Sequence, residues 1–348
     1  MDVTDILAIT TVIAVVAFDY SNGFHDAANI IATPIASRAM TPFSAVTVVA
    51  VFEFLGPMLG GTAVANTIGK FIDMSDLASA LSIMVILCGV IGAIVWNIAT
   101  WWFGIPSSSS HALVGGLVGP VIVAAGPQHV VWGIDALLTS GQVTGVLKVL
   151  MALILSPLIG FWVGFLIHRL MVILLRAARP EINSYLRLSQ YFTAAGMAFS
   201  HGTNDAQKSM GIITMVLLLG GYINDFTIPF WVVFVCAAAI TLGCLSGGWR
   251  IVRTIGFGIY KVRPLHAVDG QIAAGSVIFG AALIGAPVST THVTSSAIMG
   301  IGASERPRAV RWAKAREILS TWVLTIPGSA LAGIVIYYLV SAALLIGR

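Results

Sequence analysis

The sequence predicts an all-α polytopic membrane protein. It is expected to hold two inverted-topology repeats and about 10–12 transmembrane helices, including broken helices and hairpins. Three observations predict this. The 348 residues are 58% hydrophobic and only 9% charged, whereas a soluble domain carries roughly 25% charge. Asp, Glu, Lys and Arg are missing from Leu77 to Ile134, from Gln271 to Ala303 and from Ile318 to Gly347. Each run exceeds the roughly 20 apolar residues that cross a bilayer. Third, several patterns occur twice in the same order. These features exclude a disordered chain, a disulfide scaffold and a soluble enzyme, and a β-barrel would show short alternating segments instead.

The elements follow in order. The first half gives spans near 5–38, 42–68, 79–103, 107–126 and 146–174, and the second gives spans near 188–220, 228–249, 270–286, 290–303 and 316–346. The first span of each set is expected to be broken at a glycine-containing acidic motif. The halves match in three places. Asn22-Gly23-Phe24-His25-Asp26-Ala27 resembles His201-Gly202-Thr203-Asn204-Asp205-Ala206; Leu55-Gly56, Gly60-Gly61 and Thr67-Ile68-Gly69 match Leu242-Gly243, Gly247-Gly248 and Thr254-Ile255-Gly256; Gly104 to His111 matches Gly285 to His292. Three matches in order at nearly constant offset indicate duplication. The expected division is 1–175 for the first repeat, 176–187 for a cytoplasmic linker and 188–348 for the second repeat.

Charge gives the orientation. The linker region carries Arg169, Arg176, Arg179 and Arg187, and the second-half loops carry Arg250, Arg253, Lys261 and Arg263, then Arg306, Arg308, Arg311, Lys314 and Arg316. The equivalent first-half loops hold Lys70 with Asp73 and Asp76, and then Asp135. Cytoplasmic loops collect Lys and Arg, so equivalent loops are expected on opposite sides and both termini outside. The start, MDVTD, lacks the basic segment of a cleaved signal peptide. Basic residues form short clusters rather than a nucleic-acid-binding domain. Cys88, Cys236 and Cys244 lie in apolar stretches without metal-ligand spacing, so neither a metal site nor a cofactor is expected.

Interrupted helices in inverted repeats are where secondary transporters place substrate and ion sites. Asp26 and Asp205 lie between apolar stretches, where a carboxylate costs several kcal/mol, about 3 or more, unless it has a partner. Asp26 with Asn29, and Asn204 with Asp205, offer hard oxygen ligands for Na⁺, or a carboxylate that takes a proton. Asn29 aligns with Lys208, so a neutral ligand in one half is an ammonium in the other. That substitution is expected to lessen dependence on Na⁺ and favour protons. Ser107, Ser108, Ser109 and Ser110 precede His111, and Ser289, Thr290 and Thr291 precede His292, each run just after a proline. Proline and hydroxyls favour a helix start, and a helix start binds anions. His111 and His292 have three open roles: donor to the anion, proton carrier, or packed residue bonded to backbone. Asp19 and Glu53 lack acidic counterparts in the second half. They are candidates to carry protons or to pair with Arg38 or Lys208.

These motifs resemble the inorganic phosphate transporter (PiT) family and, in wording, its bacterial low-affinity branch. The family signature is Gly-x-x-Asp-x-x-Asn near each repeat start and a Pro-Ser/Thr-rich segment later. Gly23 to Asn29 fits in full, whereas Lys208 replaces the second Asn. The resemblance implies symport of inorganic phosphate with H⁺ or Na⁺ across the bacterial inner membrane. In that branch it implies protons, with phosphate often carried as a divalent-metal complex. It also implies that the paired Asp and Asn residues bind cation and phosphate, and that Ser107–Ser110 and Ser289–Thr291 bind phosphate. Sulfate:proton symport is the alternative within the class; an intramembrane Ser/His hydrolase and an anion channel fit the duplicated motifs less well. A homodimer is an expectation by analogy with transporters of this repeat form.

Overall fold

The chain's first helix is started by its own acids. In the computed structural model, which describes residues 2–346, Asp2 accepts from the Val3 N–H and its own N–H donates to Asp5. From there α1 (Val3–Ala36) leads to α2 (Pro42–Leu59), α3 (Ala63–Ile68), α4 (Ser79–Trp102), α5 (Ser109–Ala124), α6 (Ile134–Ser140) and α7 (Gly145–Leu174). The second half holds α8 (Ile182–Leu219), α9 (Phe230–Ser246), α10 (Trp249–Arg253), α11 (Pro264–Leu283), α12 (Thr290–Glu305) and α13 (Trp312–Ile346). Thr41 caps α2 by accepting from Ser44 N–H, with Pro42 supplying the helical φ at the first position. Among the described residues the only β pairing is an isolated bridge between Ile72 and Val130. Five helices, α1, α2, α4, α7 and α13, are long and apolar enough to cross a membrane, and α9 with α10 is a sixth candidate bent by 60°.

The interruptions expected in the first span of each half are not there. α1 runs unbroken through Gly23 and Asp26, and α8 through Gly202 and Asp205. The glycines serve close packing instead. A Cβ on Gly23 would lie 2.0 Å from the Ile240 carbonyl oxygen of α9, and one on Gly202 would lie 2.3 Å from the Glu53 carbonyl oxygen of α2. Gly243 and Gly56 return the contacts, meeting the backbone of Tyr20 and Phe199 at 2.2 and 2.4 Å. Small residues let membrane helices approach backbone to backbone. The first helix of each half thus crosses the second helix of the other. The breaks fall one span later, at Gly60 to Thr62 between α2 and α3, and at Gly247-Gly248 between α9 and α10.

Two faces can be assigned from contacts between loops. Tyr222 donates to Asp5, Phe226 lies against Gly69, and Asp73 N–H donates to the His129 carbonyl. These contacts gather Asp5, Asp73, Asp76 and Asp225 with Lys70 on one, mainly acidic, face. On the other face Ser37 reaches Gln190, Gln190 reaches Pro264, Arg263 pairs with Glu305, and Arg311 N–H donates to Ile259. Arg176, Arg179, Lys261, Arg306 and Arg308 lie on this basic face. There Tyr260, its hydroxyl pushed up to about 12 by burial and by its bond to Glu305, stays protonated and ties the α10–α11 loop to the end of α12.

α4 with α5, and α11 with α12, are hairpins. At 16 residues each, α5 and α12 rise only about 24 Å, less than the ~30 Å hydrocarbon core. α5 leads toward the acidic face and α12 toward the basic one, so their first turns meet from opposite sides. The apolar core is correspondingly split. One body gathers Val15, Phe18, Ile86, Leu117 and Ile213, the other Ile30, Ile31, Ala198, Ile278 and Val293. The polar stretches of α1 and α8 lie between them.

Candidate functional site

The site forms where four helix segments meet: mid-α1, mid-α8 and the first turns of α5 and α12. Ser108 and Ser289 are its two N-caps. Each hydroxyl accepts from the backbone N–H three residues on, His111 at 3.1 Å and His292 at 3.3 Å. Capping of this kind fixes the helix start and leaves the first two N–H groups of each helix pointing inward without an intrahelical partner.

Asp26 organises the centre. Its carboxylate accepts from Ser109 Oγ at 3.1 Å, Thr291 Oγ1 at 3.2 Å and Thr290 Oγ1 at 3.3 Å. Its fourth partner is His25 Nδ1 at 2.6 Å. Asn29 Nδ2 donates to Thr291 at 2.9 Å. Both hairpin tips therefore bond to one carboxylate on α1. His25 continues the network through Nε2 to Ser107, which also bonds Thr100 at 2.7 Å.

The α8 side differs. Lys208, fully buried, places its ammonium 2.6 Å from Asp205 Oδ1, 2.5 Å from Ser110 Oγ and 3.1 Å from the Val288 carbonyl. Three oxygens around one cation resemble an ion site filled by a tethered side chain. Ser110 also donates to Val288 O at 2.9 Å, joining the two tips directly. Asn204 stays with the second hairpin, accepting from Val288 N–H at 3.3 Å and donating to the Ala286 carbonyl at 3.2 Å. Asp205 Oδ2 lies 3.4 Å from Asn22 Nδ2 and 3.5 Å from Thr290.

The structure gathers Asp26, Asn29, Asn204, Asp205, Lys208, Ser107, Ser108, Ser109, Ser110, Ser289, Thr290 and Thr291 into one buried cluster. Asp19 and Glu53 are buried beside it, but their sequence-based pairing with Arg38 or Lys208 does not hold. Asp19 accepts from Ser209 at 2.5 Å, and Glu53 bonds His201 Nδ1 at 2.5 Å. The reason is depth: Arg38 stands in the α1–α2 loop, and the Lys208 ammonium is taken up by Asp205. Beyond the backbone N–H groups that Ser108 and Ser289 cap, the imidazole rings of His111 and His292 bond none of the site's side chains. Their rings lie 4.6 Å apart, and His292 stacks on Trp322 at 3.7 Å, facing a separate cavity.

Sequence reasoning passed over Asn22, His25, His201 and Gln207. Gln207 accepts from the Val64 and Ala65 N–H groups at 2.7 and 3.4 Å, capping α3 from α8. Asn22 and His201 fill matching positions of the duplicated motif, and a polar residue there in both copies was the available signal. Asp26, His201 and Asp205 bring their ligand atoms within 4.8 Å of one another.

The phosphate transporter family matches the chain over residues 22–333. The chain belongs to this family. It is 43% identical over 344 residues to a Bacillus subtilis protein described as a probable low-affinity inorganic phosphate transporter, covering 98% of this chain and 99% of that one. A Rhizobium meliloti protein of the same description is 42% identical over 323 residues, 92% of each chain. Among solved structures, one titled the sodium-dependent phosphate transporter superposes with a TM-score of 0.81 over 97% of this chain and 99% of that one, at 22% identity. The phosphate transporter fold is thus shared across distant sequences. As a member of this family the chain is a multi-pass membrane transporter and not an enzyme.

Proposed function

We propose that this chain carries inorganic phosphate across the bilayer by alternating access, coupled to protons rather than Na⁺. The observation that carries the reading is the Lys208 ammonium among Asp205, Ser110 and Val288 O, the place the duplicated motif gives to an Asn ligand. A built-in cation there leaves the α1 half, Asp26 with Asn29, as the place for a proton or transported cation. Phosphate binds between the first turns of α5 and α12, where free N–H groups and the hydroxyls of Ser109, Ser110, Thr290 and Thr291 face one another. The basic face is cytoplasmic, which sets both termini outside. The two halves act as inverted repeats, each hairpin closing one side of the site. Asp26 beside the anion favours protonated phosphate, which donates to a carboxylate, over sulfate. A second reading concerns the cargo: Asp26, His201 and Asp205 lie close enough to hold a divalent ion travelling with phosphate.

The test is phosphate uptake by purified protein in liposomes, with the H⁺ and Na⁺ gradients imposed separately. Uptake driven by inward H⁺ alone is expected, and Lys208→Asn should introduce Na⁺ dependence. Wild-type uptake that requires inward Na⁺ would overturn the proton assignment. Excess sulfate should not compete, and a requirement for Mg²⁺ or Mn²⁺ would support the second reading.

A further inference from the structure

A groove of about 600 Å³ opens between α7 and α13, behind the first turns of α5 and α12. Its walls are Ile154, Leu158 and Phe161 on α7 and Leu319, Trp322 and Val323 on α13. Ile154, Leu158 and Val323 are exposed, as they would be facing hydrocarbon. Its inner end is closed by the adjacent rings of His111 and His292, 4.6 Å apart. Its outer end reaches Trp312 at the basic face. From Trp312 to Ile326, both on its lining, α13 rises about 21 Å, somewhat more than the ~15 Å depth of one leaflet's hydrocarbon.

Two arginines lie on the helical stripes that flank the groove toward the basic face, outside its lining. Arg316 falls one turn after Trp312 and two turns before Val323, on the same stripe of α13. Arg169 continues the α7 stripe two turns beyond Phe161 and lies over the Phe165 ring at 5.5 Å. Both arginines are exposed, and among the described residues neither joins an ion pair, whereas nearby Lys314 is matched by Glu317. We propose that this groove binds an anionic phospholipid, one acyl chain between α7 and α13 and the headgroup phosphate between Arg169 and Arg316. An apolar groove about a leaflet long, flanked toward the basic face by two cations without ion-pair partners among the described residues, fits that amphiphile, and basic pockets between membrane helices bind anionic headgroups. The bound chain lies against His111 and His292, one turn from the hydroxyls of α5 and α12. Occupancy therefore bears on how readily the hairpins part.

The experiment uses the full chain in detergent, stripped of lipid, and native mass spectrometry with phosphatidylglycerol or phosphatidylcholine of matched chains. Phosphatidylglycerol should be retained more strongly by about twenty-five-fold, the product of roughly fivefold per arginine. Arg169→Gln with Arg316→Gln should erase that preference, while Arg179→Gln, on the same face, should keep it. Leu158→Trp with Val323→Trp should displace both lipids. Equal retention of the two lipids by the wild type would overturn the proposal. So would a preference that survives the double arginine change. So would a protein dimer that excludes lipid and is lost in the tryptophan variant, since the groove would then join two copies of the chain.

Discussion

Gly202 offers a direct test of the packing argument, because α8 contains its own control. Replacing Gly202 with Ala would place a Cβ 2.3 Å from the Glu53 carbonyl oxygen and 3.1 Å from Pro57 Cδ. An ordinary carbon–oxygen contact needs roughly 3.3 Å or more, so α2 and α8 must separate by about an ångström. Backbone stands on both sides, so no side-chain rotation relieves the clash. Overpacking of this kind costs about 1–3 kcal/mol, and the upper end applies here. The gain in helix propensity returns roughly 0.5–1 kcal/mol, leaving a net loss of about 2 kcal/mol. Gly196, in the same helix, has nothing within 4 Å of its would-be Cβ. Gly196→Ala should therefore stabilise by about 0.5–1 kcal/mol. Reversible unfolding in mixed detergent micelles with increasing SDS should separate the two variants by about 3 kcal/mol. Equal stabilities would refute the assignment of Gly202 to close contact. If transport were then lost in Gly202→Ala alone, a hinge role would be restored.

Other consequences are open to similar measurement. His201→Ala leaves the Glu53 carboxyl buried without its partner, and should cost about 3–5 kcal/mol in SDS unfolding; adding Glu53→Gln should recover part of it, and an additive double variant would argue against a pair. Ser108→Ala and Ser289→Ala each remove an N-cap, with an expected loss of about 1 kcal/mol, whereas Ser109→Ala, which bonds Asp26, should raise the KM for phosphate with little change in stability. Gln207→Leu strands the Val64 and Ala65 N–H groups, so amide exchange across α3 should accelerate by the equivalent of about 1–3 kcal/mol; unchanged protection there would remove Gln207 as the cap.

Much of the site could be read from the chain because it is written twice. A buried Asp is costly, so its recurrence beside apolar runs marks a place where the cost is repaid by partners. Proline before a run of hydroxyls favours a helix start, and Ser108 and Ser289 prove to be caps. The reading of Gly23 and Gly202 went astray because glycine both loosens a backbone and admits a neighbour. Sequence does not distinguish those uses; the carbonyl groups of Ile240 and Glu53, more than a hundred residues distant, do. Glu53 and His201 found each other by the same tertiary route. Arg38 was a poorer candidate than its charge suggested, since it lies in a loop at the basic face.

Lys208 also bears on the energetics of accumulation. A free cation that crosses with its cargo draws on the membrane potential, about 2.3 kcal/mol per charge at 100 mV. An ammonium bonded to the polypeptide moves out and back with it, and over a full turnover does no net electrical work. With Lys208 in place of a transported ion, as proposed, one free ion fewer lowers the attainable inside-to-outside ratio by about fiftyfold at that voltage. Under that proposal the chain trades steep accumulation of its cargo for a cycle that draws less on the membrane potential.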